Sequence, residues 1–268
     1  MSQPDPPPFE VYAIRYATVE RRAAENFIGS DAHETAARMD YFVWLLRNEH
    51  HTIVVDTGFD AAAAQQRRRQ FLRSPGDGLK LLGVDPATVA EVILTHLHYD
   101  HAGNLGLFPA ARFHLQDREM AFATGRYMSQ EFFSRSYDLD DVLDTVRLVH
   151  GRRVLFHDGD GTIVPGVTVH RIGGHTRGLQ AVRVWTRVGY LVLASDAAHY
   201  TANRVEERPF PIVADVTEMV DGWRRLVELA SAPEHVVPGH DPLVMQHYQA
   251  PSPQLEGIAV RLDEKPCK

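Results

Sequence analysis

Residues 92–104 of this chain read VILTHLHYDHAGN, an apolar segment that runs into three histidines and an aspartate. The first three residues are typical of a buried β-strand. If the extended geometry continues, His96 and His98 project to the same side, because alternate side chains of a strand share a face. Asp100 keeps that parity, and His101 follows at a turn. The pattern therefore predicts a cluster of imidazoles and a carboxylate at the end of one strand.

A metal ion is the simplest reason for such a cluster. A buried polar group without a partner costs roughly 1–3 kcal/mol. Zn²⁺ removes that cost, since it binds histidine nitrogen at about 2.0–2.1 Å and carboxylate oxygen slightly further away. The alternative is a solvated histidine-rich loop, but such loops rarely follow an apolar strand. We therefore expect a zinc site in this segment.

Six residues cannot complete two metal sites, so distant ligands are also expected. Three candidates each follow a predicted strand: His175, Asp196 and His240. Glycines precede both histidines and allow the backbone to turn sharply there. Asp56 ends a fourth predicted strand, and we interpret it as an acceptor that orients a ligand imidazole. Each residue alone is a weak signal, and their joint occurrence with the first cluster strengthens the prediction.

These segments resemble the metallo-β-lactamase superfamily. The resemblance lies in residues 95–104 and extends to DTG at 56–58, GHT at 174–176, SD at 195–196 and PGH at 238–240. It implies an α/β (α+β) fold of the αββα type, a sandwich of two mixed β-sheets flanked by helices, with metals at one edge. Histidine at position 98 favours the zinc hydrolases over the di-iron oxygen reductases. The ligands that the resemblance implies are His96, His98 and His175 for one zinc, Asp100, His101 and His240 for the other, and Asp196 as the bridge.

Within the superfamily, the segments are most similar to the N-acyl homoserine lactonases, which implies a quorum-quenching activity on these or related lactones. Those lactonases have a tyrosine three residues after the bridging aspartate, where this chain has His199, and Tyr200 lies one residue further on. The implied mechanism uses two zinc ions per chain and a hydroxide that they share. Either Tyr200 or His199 would donate a hydrogen bond to the oxyanion, and Asp100 would pass a proton to the leaving alkoxide.

The alternatives are another ester or thioester hydrolase of the same fold, such as a glyoxalase II-like enzyme, or a metal-binding protein without catalytic activity. A glutathione thioesterase of the glyoxalase II type carries a longer basic C-terminal extension than the 28 residues that follow His240. A β-lactamase is usually exported, and an alkyl sulfatase is much longer. A metal-binding protein without turnover would have lost ligands, whereas all seven positions are filled here.

Composition restricts the partners. The net charge of −7 and the pI of about 6.1 argue against a nuclease or another nucleic-acid-binding protein. The run Arg67–Arg69 is interpreted as the solvent-exposed face of a helix. A single cysteine, Cys267, excludes an intrachain disulfide, and we see neither a secretory signal nor an apolar run long enough for a membrane helix. We expect a cytoplasmic enzyme with a small-molecule substrate, and a homodimer is left open.

We see no break between halves and expect one domain over residues 1–268, with the proline-rich residues 1–8 loose. A helix is predicted over Ala61–Leu72 and another over Asp215–Ala230, where Glu218 would complete a capping box. Residues 21–40 are predicted to be a long loop with a short helix near 34–38. This loop and residues 126–137 could form the walls of an apolar pocket or serve as core or dimer contacts.

The remaining histidines are expected to be solvated or satisfied in the core: His33, His50, His51, His114, His150, His157, His170, His235 and His247.

Overall fold

The computed structural model describes residues 6–30 and 36–267 and folds them into two β-sheets. The expectation of loose residues 1–8 falls partly outside this range, and residues 6–8 have no regular secondary structure. The strands that the structure describes are β1 Glu10–Arg22, β2 Ala36–Arg47, β3 Thr52–Val55, β4 Gln70–Phe71, β5 Glu91–Ile93, β6 Arg112–Gln116, β7 Val154–His157, β8 Gly161–Val164, β9 Val167–Arg171, β10 Gln180–Thr186, β11 Gly189–Ser195, β12 Val236–Pro238 and β13 Ala259–Arg261.

Both sheets are mixed, as predicted. The first has the order β13-β1-β2-β3-β5-β6-β7, with β4 paired to β1. Strands β3, β5, β6 and β7 run parallel, whereas β13, β1, β2 and β3 pair antiparallel. The second sheet has the order β12-β11-β10-β9-β8, and its β11 and β12 are parallel. Because parallel neighbours end at the same edge, the loops after β3 and β5 lie together, and so do those after β11 and β12.

Helices cover the outer face of each sheet, which completes the predicted αββα sandwich. Ala64, Leu79 and Phe122 pack from the helices against the first sheet. Met219 and Trp223 pack against the outer face of the second. The helices in the described ranges are α1 Ala23–Asn26, α2 Ala61–Gln66, α3 Pro75–Leu81, α4 Tyr99–Ala102, α5 Asp117–Ala123, α6 Glu131–Ser134, α7 Leu139–His150, α8 Thr201–Val205, α9 Val216–Leu229 and α10 Val244–His247.

The apolar run in β2 is explained by burial on both faces. Tyr41 and Val43 pack in the cluster beneath the helices, while Phe42 and Trp44 pack between the two sheets. Successive side chains of a strand alternate in direction, so a strand that is covered on both faces reads as continuously apolar. Full burial of one such side chain stabilises the fold by about 1.5–3 kcal/mol.

Helix α9 begins as predicted but without the capping box. The Asp215 carboxylate accepts hydrogen bonds from the amides of Thr217 at 3.0 Å and Glu218 at 3.1 Å. The Glu218 carboxylate instead accepts from the Gly174 amide at 3.1 Å. Glu218 therefore holds the loop after β9 against the helix, instead of closing a local cap.

Two local predictions are wrong. The predicted loop over residues 21–40 contains regular elements at both ends, because β1 continues to Arg22, α1 follows directly, and β2 begins at Ala36 and pairs with β1. Residues 34–35 of the short helix predicted there lie outside the described residues, and Arg38 belongs to β2. The helix predicted over Ala61–Leu72 ends at Gln66, and the chain turns into β4. No helix in the described part of the chain is long and apolar enough to cross a membrane.

Candidate active site

Loops that follow strands carry the chemistry-bearing side chains to one edge of the sandwich. His96 follows β5, His175 follows β9, Asp196 comes directly after β11, and His240 follows β12. The loop after β5 continues into α4, which contributes Asp100 and His101. The strand-end arrangement expected from the sequence is therefore present.

The seven side chains converge in two adjoining groups. In the first group, one ligand atom from each of His96, His98, His175 and Asp196 lies within 4.8 Å of the others. Asp100, His101 and His240 form the second group by the same measure. Asp196 joins the groups, since its Oδ2 lies 3.2 Å from His175 Nε2 and its Oδ1 lies 3.0 Å from His240 Nε2.

The donor set fits a metal better than it fits a purely protein-made network. Among the described residues, Nε2 of His96, Nε2 of His101 and Oδ1 of Asp196 are buried without a hydrogen-bond partner. Unsatisfied buried polar atoms are costly. Imidazole nitrogen and carboxylate oxygen are ligands that Zn²⁺ prefers. The unpaired atoms therefore have the chemistry and the proximity that a metal would satisfy.

Acceptors outside the cluster orient three of the imidazoles. Nδ1 of His101 lies 2.7 Å from Asp56 Oδ2, Nδ1 of His175 lies 2.7 Å from the Ile212 carbonyl oxygen, and Nδ1 of His240 lies 2.8 Å from that of Asp40. In the neutral form of each ring, which is the form that binds a metal, the acceptor holds the proton on Nδ1 and leaves the Nε2 lone pair toward the cluster. The acceptor position expected for Asp56 is therefore present.

Burial and close charges perturb the pKa values here. Burial lowers the pKa of His96 and of His98 well below the usual range, so both rings are neutral, as metal ligands must be. Burial acts the same way on His101, but the carboxylates of Asp196 and Asp56 outweigh it and raise its pKa well above the usual range. Burial raises the pKa of Asp196, but His240 and His101 outweigh it and lower that pKa well below its usual range. Asp196 is therefore an ionised carboxylate, and a bound cation would be stabilised beside it.

Strained backbone supports the loops. Asp56 and Ser195 have positive φ angles of 61° and 47°, which are uncommon for residues other than glycine. Before His175, Gly174 has a φ of 79°, and a Cβ there would lie 2.5 Å from Met219 Cα. Only glycine lets this loop approach α9 so closely.

Glu119 is a buried site residue that the sequence interpretation missed. Its carboxylate accepts hydrogen bonds from the Leu97 amide at 3.0 Å, the Tyr137 hydroxyl at 2.9 Å, the Thr176 hydroxyl at 2.5 Å and the Gly178 amide at 3.1 Å. Burial raises the pKa of Glu119, although these bonds oppose the shift. Glu119 thus ties the loop after β5 to the loop after β9. A lone glutamate in a helix carries no sequence signal for this role.

Five of the seven clustered side chains line a cavity of about 470 Å³: His98, Asp100, His175, Asp196 and His240. The two segments expected to form pocket walls contribute mainly polar groups to it, with Arg21 and Met39 from one and Arg135 from the other. Among the apolar residues expected there, Phe27 packs on Tyr200 with ring centroids 5.5 Å apart. The walls are therefore less apolar than the sequence suggested.

His199 lines this cavity. Its Nε2 lies 2.9 Å from Asp196 Oδ2, and its ring stacks on Phe210 with centroids 3.7 Å apart. Burial lowers the pKa of His199 to about 3, although Asp196 opposes the shift. The neutral ring therefore donates its Nε2 proton to the Asp196 carboxylate.

Tyr200 is held outside the cavity lining. Its hydroxyl accepts a hydrogen bond from Asn26 Nδ2 at 2.8 Å and donates one to the Arg38 carbonyl oxygen at 3.1 Å. Burial raises its pKa well above the usual range. The geometry gives no support to the expectation that this hydroxyl faces the substrate.

The interpretation of Arg67–Arg69 as one solvent-exposed face is wrong for two of its three residues. Arg68 is exposed, but Arg67 and Arg69 are half-buried and line the cavity. The Arg67 guanidinium lies 3.8 Å from the centroid of the Tyr99 ring, and Arg69 Nε donates to the Tyr99 hydroxyl at 3.1 Å. The chain leaves helical geometry at Arg68, which has a φ of 55°. The three side chains therefore do not share one helix face, and only that of Arg68 points to solvent.

The remaining histidines do not belong to the clusters that the described residues form. His114 contacts Glu91 at 3.0 Å and His157 at 3.1 Å. His170 contacts Thr168 at 2.8 Å. His33 lies outside the described residues.

The chain is similar in sequence to N-acyl homoserine lactonases of several bacteria. The chain is 34% identical over 183 residues to the N-acyl homoserine lactonase AttM of Azorhizobium caulinodans, which covers 61% of this chain and 62% of the relative. It is 28% identical over 218 residues to an N-acyl homoserine lactonase of Bacillus cereus, which covers 74% of this chain and 81% of the relative. The match spans just under two thirds of the AttM relative's length.

Solved structures and a family model agree on the fold. A structure of an N-acyl homoserine lactone hydrolase, with the product N-hexanoyl-L-homoserine at its catalytic metal centre, has a TM-score of 0.76 at 22% identity, over 91% of this chain and 98% of that one. A dizinc quorum-quenching lactonase, AidC, has a TM-score of 0.68 at 14% identity, over 87% and 88%. The model described as the metallo-beta-lactamase superfamily matches residues 38–250, well over half of the chain. This chain therefore belongs to the metallo-beta-lactamase superfamily.

Proposed function

We propose that this chain is a zinc-dependent hydrolase that opens lactone rings, with N-acyl homoserine lactones or related lactones as substrates. The observation that carries the proposal is the convergence of unpaired, buried ligand atoms from His96, His101 and Asp196 beside a cavity. The names of the AttM and Bacillus cereus relatives support the choice of substrate class. A cytoplasmic location, a single domain and a homodimer stay predictions.

Two zinc ions fit the donor groups. His96, His98 and His175 would hold one ion, and Asp100, His101 and His240 would hold the other, with Asp196 between them. When bound, zinc lowers the pKa of water to about 7 and polarises a carbonyl oxygen, which is the chemistry that ester hydrolysis needs.

The protein's own contribution begins with charge and position. Ionised Asp196 offsets the positive charge that the histidine cluster collects, and Asp56 keeps the His101 proton on Nδ1. Asp100 lines the cavity, with Oδ2 3.8 Å from Nε2 of both His101 and His240. We assign to Asp100 Oδ2 the proton that leaves the attacking water and passes to the alkoxide of the opened ring.

We assign His199 to positioning Asp196. The proton that His199 would offer to an oxyanion is the one that it already donates to the Asp196 carboxylate at 2.9 Å. Tyr200 has both of its hydrogen-bonding directions occupied by protein groups. Neither side chain is therefore assigned as the oxyanion donor.

A hydrolysis panel with zinc-loaded protein tests the proposal. N-butanoyl homoserine lactone, γ-butyrolactone, a glutathione thioester, a β-lactam and a phosphodiester would be compared by kcat/KM. We expect the lactones to be hydrolysed fastest, and we expect chelation to stop the reaction. A clear preference for the thioester or the phosphodiester would overturn the lactonase proposal but leave the zinc site standing.

A further inference from the structure

Four arginines line the same cavity as the proposed zinc ligands. We call Arg21, Arg67, Arg69 and Arg135 the arginine wall. No carboxylate of the described residues forms a salt bridge with any of them, although many other arginines of the chain have such partners, for example Arg15 with Asp40 at 3.1 Å. The wall therefore presents positive charge that the protein itself does not pair.

Arg67 is rigidly held. Its Nη1 donates to the carbonyl oxygen of Arg135 at 2.9 Å and its Nη2 to that of Tyr137 at 3.3 Å, while the guanidinium stacks on the Tyr99 ring. Its Nε is buried without a hydrogen-bond partner among the described residues. These contacts fix a cation at the wall without neutralising it.

Arg69 has a free donor. Its Nε donates to the Tyr99 hydroxyl at 3.1 Å and its Nη1 to the Arg67 carbonyl oxygen at 2.9 Å. Within the described part of the chain, no protein acceptor is bonded to Nη2. Arg69 is half-buried and lines the cavity. A fixed guanidinium with an unused N–H is well suited to bind an anionic oxygen, because charge-assisted hydrogen bonds are the strong ones.

The acidic residues that line the cavity leave this charge in place. Asp100 and Asp196 belong to the groups assigned to zinc. The third, Glu25, accepts a hydrogen bond from the neutral Arg22 amide at 2.7 Å, and among the described residues its carboxylate forms no salt bridge with an arginine of the wall. An uncharged, apolar substrate chain against the wall would remove water from the guanidinium groups without forming hydrogen bonds to them, which is unfavourable.

We propose that the preferred substrate carries a carboxylate that binds the arginine wall at Arg69, while its lactone ring lies at the proposed zinc site. This inference rests on the proposed lactonase function and narrows its substrate class to anionic lactones. The Arg69 Nη2 group donates to the substrate carboxylate. Arg67 is a positioning residue that holds the Arg69 backbone segment against Tyr99.

A matched substrate pair tests the preference. We would compare γ-carboxy-γ-butyrolactone with its primary amide, which has the same shape without the charge, on zinc-loaded protein. We expect a KM for the carboxylate at least about tenfold lower than that for the amide, the size of one charge-assisted hydrogen bond. Arg69→Gln should remove the difference, while Arg68→Gln, the exposed neighbour, should keep it. Equal KM values in the wild type, or a preference that survives Arg69→Gln, would overturn the proposal.

A binding measurement separates this inference from the proposed function. Isothermal titration calorimetry would compare the affinities for cyclopentanecarboxylate and cyclopentanecarboxamide, which have the same shape but differ in charge. Neither compound is a lactone, so the comparison does not depend on hydrolysis. We expect only the carboxylate to bind measurably, and Arg69→Gln to weaken it about 10- to 100-fold. If Arg69→Gln leaves the affinity for the carboxylate unchanged, the carboxylate binds at the metals, and the proposal that it binds Arg69 is refuted. If no lactone is hydrolysed, the proposed function fails while this titration still decides the anion site.

Discussion

Replacing Asp56 with asparagine should weaken zinc binding without unfolding the chain. Asp56 Oδ1 accepts from the Thr95 amide at 2.7 Å, and Oδ2 accepts from His101 Nδ1 at 2.7 Å. An asparagine whose oxygen keeps the Thr95 bond turns its NH₂ toward His101. The proton of the neutral ring must then move to Nε2, the atom that we assign to zinc. Asparagine also tolerates the φ of 61° at this position.

The size of the effect follows from one hydrogen bond. The bond between Asp56 and His101 is charge-assisted, and such a bond contributes about 1.5–3 kcal/mol. The asparagine side-chain amide could instead rotate so that its oxygen accepts from His101 Nδ1, which restores the ligating tautomer. Its NH₂ group then faces the Thr95 amide, and the bond to Thr95 is lost. Either outcome removes about one strong interaction, so zinc affinity should fall about 10- to 100-fold.

Competition with a chromogenic chelator measures the zinc dissociation constant, and urea unfolding of the same sample verifies the fold. Asp60→Asn is the matched control. Asp60 caps α2 by accepting from the Ala63 amide at 2.8 Å, is exposed, and asparagine caps equally well. Wild-type affinity in folded Asp56→Asn would refute the tautomer argument. A comparable loss in Asp60→Asn would show that the effect is not local.

Four further predictions follow from the site and its supports. Chelation should abolish hydrolysis and lower the melting temperature, because saturation at about 1,000 times the dissociation constant adds about 4 kcal/mol; an unchanged melting temperature would contradict this. Glu119→Ala should cost at least about 3 kcal/mol in urea unfolding, because it leaves four buried donors unpaired, and Glu119→Gln should cost less. Burial and neighbouring aspartates raise the pKa of Asp141 to about 7. Because the folded pKa lies above the unfolded one, the wild type loses stability as pH rises between about 4 and 7, so Asp141→Asn should gain about 1 kcal/mol at about pH 8, after solvent screening, and less at about pH 5; an equal gain at both would contradict the shift. His199→Gln should lower kcat at least about tenfold and Tyr200→Phe less than about threefold, and the reverse order in steady-state assays would restore Tyr200 as a catalytic candidate.

The metal cluster was predictable because its signals are local. His96, His98, Asp100 and His101 lie within six residues, so they reach one site even though β5 ends at Ile93 and α4 carries Asp100 and His101. The sandwich was predictable in outline for a similar reason, since apolar runs such as that of β2 indicate strands covered on both faces.

The supports of the site were not predictable, because they depend on contacts between distant segments. Glu119 becomes important through bonds to loops 22 and 57 residues away. The mistaken loop over residues 21–40 has the same origin. Its polar residues are tolerated in strands because side-chain partners satisfy them, as Arg15 on the neighbouring strand and Arg38 on the same strand do for buried Asp40. Local periodicity carries no record of such pairs.

A zinc titration of lactone hydrolysis tests the central claim most directly. Metal-free protein would receive increasing amounts of zinc while the initial rates on N-butanoyl homoserine lactone and on γ-carboxy-γ-butyrolactone are recorded. We predict a rate near zero without metal and a plateau at two zinc ions per chain, the number that the two groups around Asp196 can hold. A rate that is independent of zinc, or a plateau at one ion, would contradict the account.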